Sequence, residues 1–90
     1  VIARANVQIV NERGLHARAS AKFVKLAAAY KSVIQVCRED ETVDALSIMG
    51  LMMLAAGFGS NIQIIGDGPD AEAAVTALKR LVESRFEEER

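Results

Sequence analysis

His16 is the single histidine of a 90-residue sequence. It stands in Gly14-Leu15-His16-Ala17-Arg18-Ala19-Ser20, where an alternating apolar pattern gives way to an alanine-rich stretch of helical spacing. A metal site would need further donors at ligand spacing, and no second histidine, cysteine or paired carboxylate accompanies His16, so no metal is assigned. A reversible nucleophile remains open to a lone imidazole. A helix beginning at Ala17 makes His16 its N-cap, and the unbonded backbone N–H groups of Ala17 and Arg18 then form an anion site with the Arg18 guanidinium. A phosphoryl group on an imidazole nitrogen would meet backbone donors, the positive helix end and a charge-assisted arginine contact there. Transient phosphate storage is the chemistry that suits these residues. The competing reading is an ordinary N-terminal helix residue with Arg18 as a solvated charge, and spacing alone favours it.

The surrounding elements must hold this segment in place. From Ala3 to Ile9 the residues Ala3, Ala5, Val7 and Ile9 alternate with Arg4, Asn6 and Gln8, the pattern of a half-buried strand. Asn11-Glu12-Arg13-Gly14 follows as a loop, with Gly14 free to take positive φ. The spacing predicts a helix over 17–30, with Phe23, Leu26, Ala27 and Tyr30 inward and Lys22 and Lys25 on the wet side. Val33–Arg38 and Thr42–Ala45 are short strands joined by Glu39-Asp40-Glu41, with Ile34, Val36, Val43 and Ala45 inward. The three carboxylates diverge on a solvated hairpin tip and carry no chemistry. Cys37 is out of phase with the inward residues and lacks an activating environment.

Ser47 is a natural N-cap for a short helix to about Leu54, closed by Ala55-Ala56-Gly57-Phe58-Gly59. Ile62 and Ile64 share one face of a fourth strand, and Gly66-Asp67-Gly68-Pro69-Asp70 breaks the chain. A last helix carries Ala74, Leu78, Leu81, Val82 and Phe86 as one apolar stripe, with Asp70 and Glu72 at its start. The Glu87-Glu88-Glu89 tail is expected to fray. The order β-α-β-β-α-β-α, with one central hairpin, defines an α+β fold with helices on one face of a four-stranded sheet.

Composition bounds the function. A chain with 51% hydrophobic and 26% charged residues describes one domain, residues 1–90, with a single core. A chain of this length buries about 60–70% of its unfolded surface, which leaves little room for a deep substrate cavity. Eleven basic and twelve acidic residues, interspersed, give a net charge of −1, a poor match for nucleic acid. A lone cysteine, and no charged-then-apolar leader ahead of the first strand, fit a reducing cytoplasm. Leu46 to Ala56 is too short to span a bilayer, so direct membrane insertion is not expected.

GLHARASAKFV, together with the later LSIMGLMMLAAG, resembles the histidine-containing phosphocarrier protein (HPr) family of the sugar phosphotransferase system. The likeness extends over essentially the whole chain. It implies an open-faced β-sandwich with an all-antiparallel sheet of order 1-4-2-3, which pattern alone does not supply. It matches His16 to the phosphorylated histidine, Arg18 to the phosphate-contacting arginine, and Ser47 to the serine modified in some members by HPr kinase/phosphorylase. It also implies phosphoryl transfer from enzyme I to Nδ1 of His16 and onward to enzyme IIA-type acceptors, by a monomer that needs no cofactor and is not an independent enzyme. The HARAS and SIMGLMML segments resemble alphaproteobacterial carriers, of either the sugar branch or the nitrogen-related branch served by NPr. Many family members have proline where this chain has Ala19, so a preset helix start is replaced by helix propensity and an extra N–H.

Ile48, Met49, Met52 and Met53 follow i, i+1, i+4, i+5 around the short helix, leaving Leu51 and Leu54 for the core. Taken singly, methionines usually fill core gaps; as a group they resemble an adaptable surface for several partners. An alternative function is an HPr-like regulatory interaction module whose phosphorylation state controls partner binding. A hydrolase or metalloprotein lacks the required second catalytic group or ligand set.

Overall fold

The computed structural model describes residues 1–89. Strand β1 (Ile2–Gln8) is followed by α1 (Ala17–Ala27), β2 (Val33–Arg38), β3 (Glu41–Asp44), α2 (Ile48–Met53), β4 (Asn61–Asp67) and α3 (Ala71–Glu83), then a 3-10 turn over Arg85–Glu87. The sheet has the order β1-β4-β2-β3, and every neighbouring pair is antiparallel. The expected architecture and strand order are those observed.

Side-chain alternation sets the register. Val7 lies opposite Ile62, Ala5 opposite Ile64, and Ile64 opposite Val36, which in turn pairs with Val43. These residues point to the helical side and form continuous rows, because a register slip of one residue would turn each of them to the other face. Ala3, Gly66 and Ile34 form the next row. Gly66 admits close packing there: a Cβ on it would meet Val75 Cγ2 at 3.0 Å and Ile34 Cδ1 at 3.2 Å. Helix α3 covers the sheet with Ala71, Ala74, Val75, Leu78 and Val82, and α1 adds Ala19, Phe23 and Ala27 to the core.

Two boundaries differ from the sequence expectation. Helix α1 ends at Ala27, and Leu26 and Tyr30 are only partly buried, packed against the core from its edge. The β2–β3 turn is two residues long, since Arg38 pairs directly with Glu41 and Glu39 takes φ 57°. Asp70 stands at the N-cap of α3, as the sequence indicates, but makes no side-chain cap bond there. Its carboxylate instead accepts the Lys31 and Ser32 backbone N–H groups, each at 2.9 Å, tying the start of α3 to the segment that enters β2.

The end of the chain departs furthest. The apolar stripe does not run along one helix to Phe86: α3 stops at Glu83, and Arg85, Phe86 and Glu87 adopt φ of 62°, 54° and 63°. That reversal inserts the fully buried Phe86 into the core. Left-handed backbone costs about 1–2 kcal/mol per residue. Burying a phenylalanine returns about 1.5–3 kcal/mol, so the turn depends on further contacts made by the tail. Those contacts lie at His16.

Candidate functional site

The loop between β1 and α1 is held at several points. Gly14, at φ 67°, brings its backbone against Ala56, and the Leu15 N–H donates to the Ala56 carbonyl at 3.0 Å. Leu15 is buried beneath the loop. Asn11 is fully buried, and its Nδ2 donates to the Gly14 carbonyl at 2.9 Å while the Gly14 N–H returns to the Asn11 carbonyl at 3.2 Å. The sequence reading placed Asn11 in the loop without a role. A buried amide with two donors to satisfy is the physical reason for its importance, and the sequence signal was only an asparagine beside a turn glycine.

His16 occupies the N-cap of α1 with extended backbone, φ −76° and ψ 179°, and makes no side-chain cap bond. The first intrahelical bond runs from the Ser20 N–H to the His16 carbonyl at 2.9 Å. The N–H groups of Ala17, Arg18 and Ala19 therefore lie ahead of the helical ladder, and Ala19 contributes a donor that proline would lack. Ser20 is buried, and its hydroxyl donates to the Leu15 carbonyl at 3.3 Å.

The tail completes the ring's surroundings. Glu88 Oε2 lies 2.6 Å from His16 Nε2, and Glu88 Oε1 accepts from Asn11 Nδ2 at 2.9 Å. The two side chains are only 22% and 16% exposed, so water competes weakly for the contact. Burial opposes ionisation of Glu88, but the hydrogen bonds from Asn11 and His16, with the nearby charge of Arg13, outweigh it and hold the carboxyl below its usual range. An ionised carboxylate only accepts, which assigns a proton to Nε2 and leaves Nδ1 as the nitrogen of the neutral ring with a lone pair. The tail is therefore docked rather than frayed at Glu88. Lys22 also departs from the wet side assigned to it: its Nζ donates to the Phe86 carbonyl at 2.7 Å.

On the side of Glu88 lies an open cavity of about 650 Å³ lined by Arg13, Arg18 and Lys22 and by Glu12, Glu87, Glu88 and Glu89. Arg18 is exposed at its rim. The cavity joins donors that suit an anion to carboxylates that exclude a surplus of positive charge.

Ser47 caps α2, its hydroxyl accepting the Gly50 N–H at 2.9 Å. Leu51 and Leu54 are buried, whereas Met49 and Met53 are 68% and 71% exposed and Ile48 and Met52 both 40%. Leu46 and Phe58 are exposed on the flanking segments as well, a pair the helical spacing could not reveal because neither lies on the helix.

These features define a phosphocarrier fold, and the comparisons with known proteins agree. The PTS-HPr family model, described as the PTS HPr component phosphorylation site, matches residues 3–84. The chain belongs to the HPr family of phosphotransferase-system phosphocarriers. It is 51% identical over 80 residues to the phosphocarrier protein HPr of Cupriavidus necator, covering 89% of this chain and 90% of that one. It is 40% identical over 82 residues to the phosphocarrier protein NPr of Shewanella violacea, covering 91% and 90%. The crystal structure of HPr-C-His from Thermoanaerobacter tengcongensis superposes with a TM-score of 0.93 at 40% identity, over 98% of this chain and 99% of that one. That of HPr from Bacillus anthracis gives 0.87 at 41%, over 91% and 98%.

Proposed function

We propose that this chain, a single domain over residues 1–90, accepts a phosphoryl group on Nδ1 of His16 from phospho-enzyme I and passes it to enzyme IIA-type proteins. The observation that carries the reading is the N-cap placement of His16 with Nε2 engaged by Glu88 at 2.6 Å, which leaves Nδ1 as the available nucleophile. The Nδ1 lone pair forms the new N–P bond as the donor's N–P bond breaks, and the departing electron pair stays on the donor's nitrogen. Arg18 and the Ala17 and Arg18 N–H groups take the phosphoryl oxygens. Phosphoryl transfer depends on alignment and charge stabilisation, so a small carrier acts without a general base or metal of its own once a partner closes the site.

Ile48, Met49, Met52 and Met53 form the docking face for donor and acceptor, and their exposure supports that role. Modification of Ser47 by an HPr kinase/phosphorylase would place negative charge beside this face. The protein works as a cytoplasmic monomer; among the described residues no helix is long and apolar enough to cross a membrane.

Incubation with enzyme I and phosphoenolpyruvate, followed by mass spectrometry, tests the assignment. The label is expected on His16, stable in base and lost in acid. His16→Ala should abolish it with the circular dichroism unchanged, and robust labelling of His16→Ala would overturn the reading. Candidate acceptors added to the labelled protein decide between the sugar and nitrogen-related branches.

A further inference from the structure

The tail contact carries a consequence for both halves of the transfer cycle. The geometry points to Glu88 as a positioning residue that keeps one proton on His16 Nε2 while Nδ1 gains and loses the phosphoryl group. This rests on the carrier reading given above. Glu88 is the one carboxylate that touches the ring among the described residues, at 2.6 Å, and it is fixed from three directions. Asn11, itself fully buried, holds Oε1; Phe86, two residues earlier, is locked into the core; and Lys22 clamps the Phe86 carbonyl. Three successive glutamates occur in the tail, and the left-handed turn brings the middle one to the imidazole.

The proton's place decides the chemistry. On acceptance, the neutral ring bears N–H at Nε2, and Nδ1 bonds to phosphorus as the donor's N–P bond breaks. No proton leaves the ring. The product is a phosphorylated imidazolium whose positive charge faces the Glu88 carboxylate. On donation, the N–P bond breaks, its electron pair returns to Nδ1, and a neutral imidazole departs with the Nε2 proton still in place. Were that proton lost, the leaving group would have to be an imidazolate, a far stronger base and a poorer leaving group. Holding the proton thus keeps the phosphoryl group transferable.

Because His16 is the only histidine, ring-15N-labelled protein gives an unambiguous NMR readout. Wild type, Glu88→Gln and Glu88→Ala are compared, both unphosphorylated and loaded by enzyme I and phosphoenolpyruvate. Glu88→Gln keeps the length of the side chain and one acceptor oxygen for Nε2–H while removing the charge and turning an amide NH2 toward Asn11, so it separates loss of the charge from loss of the whole side chain. The wild-type phosphoprotein should show a protected Nε2 proton that Glu88→Ala loses. Donation from preloaded protein to an enzyme IIA-type acceptor at saturating concentration should slow about tenfold in Glu88→Ala, the scale of a hydrogen bond to a charged group, with Glu88→Gln intermediate. Equal proton protection in all three proteins, or equal donation rates with the label confirmed on His16, would overturn the role of Glu88 and leave the carrier reading standing. Absence of label from His16 in wild type would overturn both.

Discussion

Gly14 and Ala56 meet backbone to backbone: a Cβ on Gly14 would lie 2.4 Å from the Ala56 carbonyl oxygen, the same oxygen that accepts the Leu15 N–H at 3.0 Å. The loop bearing His16 is thereby fastened to the segment leaving α2, and the ring and the methionine face share one rigid support. Gly14→Ala combines a left-handed backbone with a clash against main chain that cannot rotate away. It should cost about 2–4 kcal/mol in chemical denaturation and slow phosphoryl acceptance even under conditions where the protein remains folded. A stability within error of wild type would mean that the loop can shift freely.

Met49 and Met53 project into solvent, so their replacement should separate binding from folding. Met49→Lys or Met53→Lys should change stability by no more than about 0.5 kcal/mol, as expected of exposed positions. Affinity for both enzyme I and a IIA-type acceptor, followed by titration calorimetry, should fall together. Loss of one partner alone would divide the docking face in two.

Ser47 has a structural role that can be removed without touching charge. Ser47→Ala leaves the Gly50 N–H without its side-chain acceptor and should cost about 1 kcal/mol, with nearly normal transfer. Ser47→Asp retains a cap favoured by the helix dipole, yet places a carboxylate beside the exposed methionines. It should fold normally and accept phosphate from enzyme I more slowly. Equal transfer rates for Ser47→Asp and wild type across enzyme I concentrations would restrict Ser47 to capping.

Asp70 links stability to pH. Its side-chain bond with Ser32, then the Lys31 N–H, hold its carboxyl below the usual aspartate range. A carboxyl depressed by folding stabilises the protein above its unfolded pKa, and that contribution is lost as pH falls through the folded value. Denaturation from about pH 5 down to about pH 2 should show a decline in wild type that is shallower in Asp70→Asn. Identical slopes would show that the Asp70 contacts survive protonation. Glu88 has the same sign of linkage, so Asp70→Asn combined with Glu88→Gln should flatten the curve further.

The sheet was legible because Val7, Ile34, Val36, Ile62 and Ile64 alternate cleanly and each register slip would expose all of them. The N-cap position of His16 and the capping of α2 by Ser47 were likewise local, set by residues within one turn. Strand order came from family likeness, since alternation is indifferent to which neighbour a strand takes. The tail escaped both. Its course depends on Phe86 entering a core built by residues far earlier in the chain, and on Asn11, whose amide NH2 finds both of its acceptors only when the loop and the tail meet. Helical periodicity read Phe86 correctly as buried and misread how it gets there. Asp70 was read as an acid at the helix start, where it stands, but helix-start chemistry is local and could not reveal its partners at Lys31 and Ser32 in another element.

Glu88 follows His16 by 72 residues, so the imidazole's surroundings are closed by a long-range contact and not by its own loop. Local opening of the segment after α3 would part the carboxylate from the ring while the β1–α1 loop, fastened through Asn11, Gly14 and Ala56, stayed in place. The site therefore has two levels of cooperativity: a loop whose geometry belongs to the core, and a ring contact that follows the docking of Phe86.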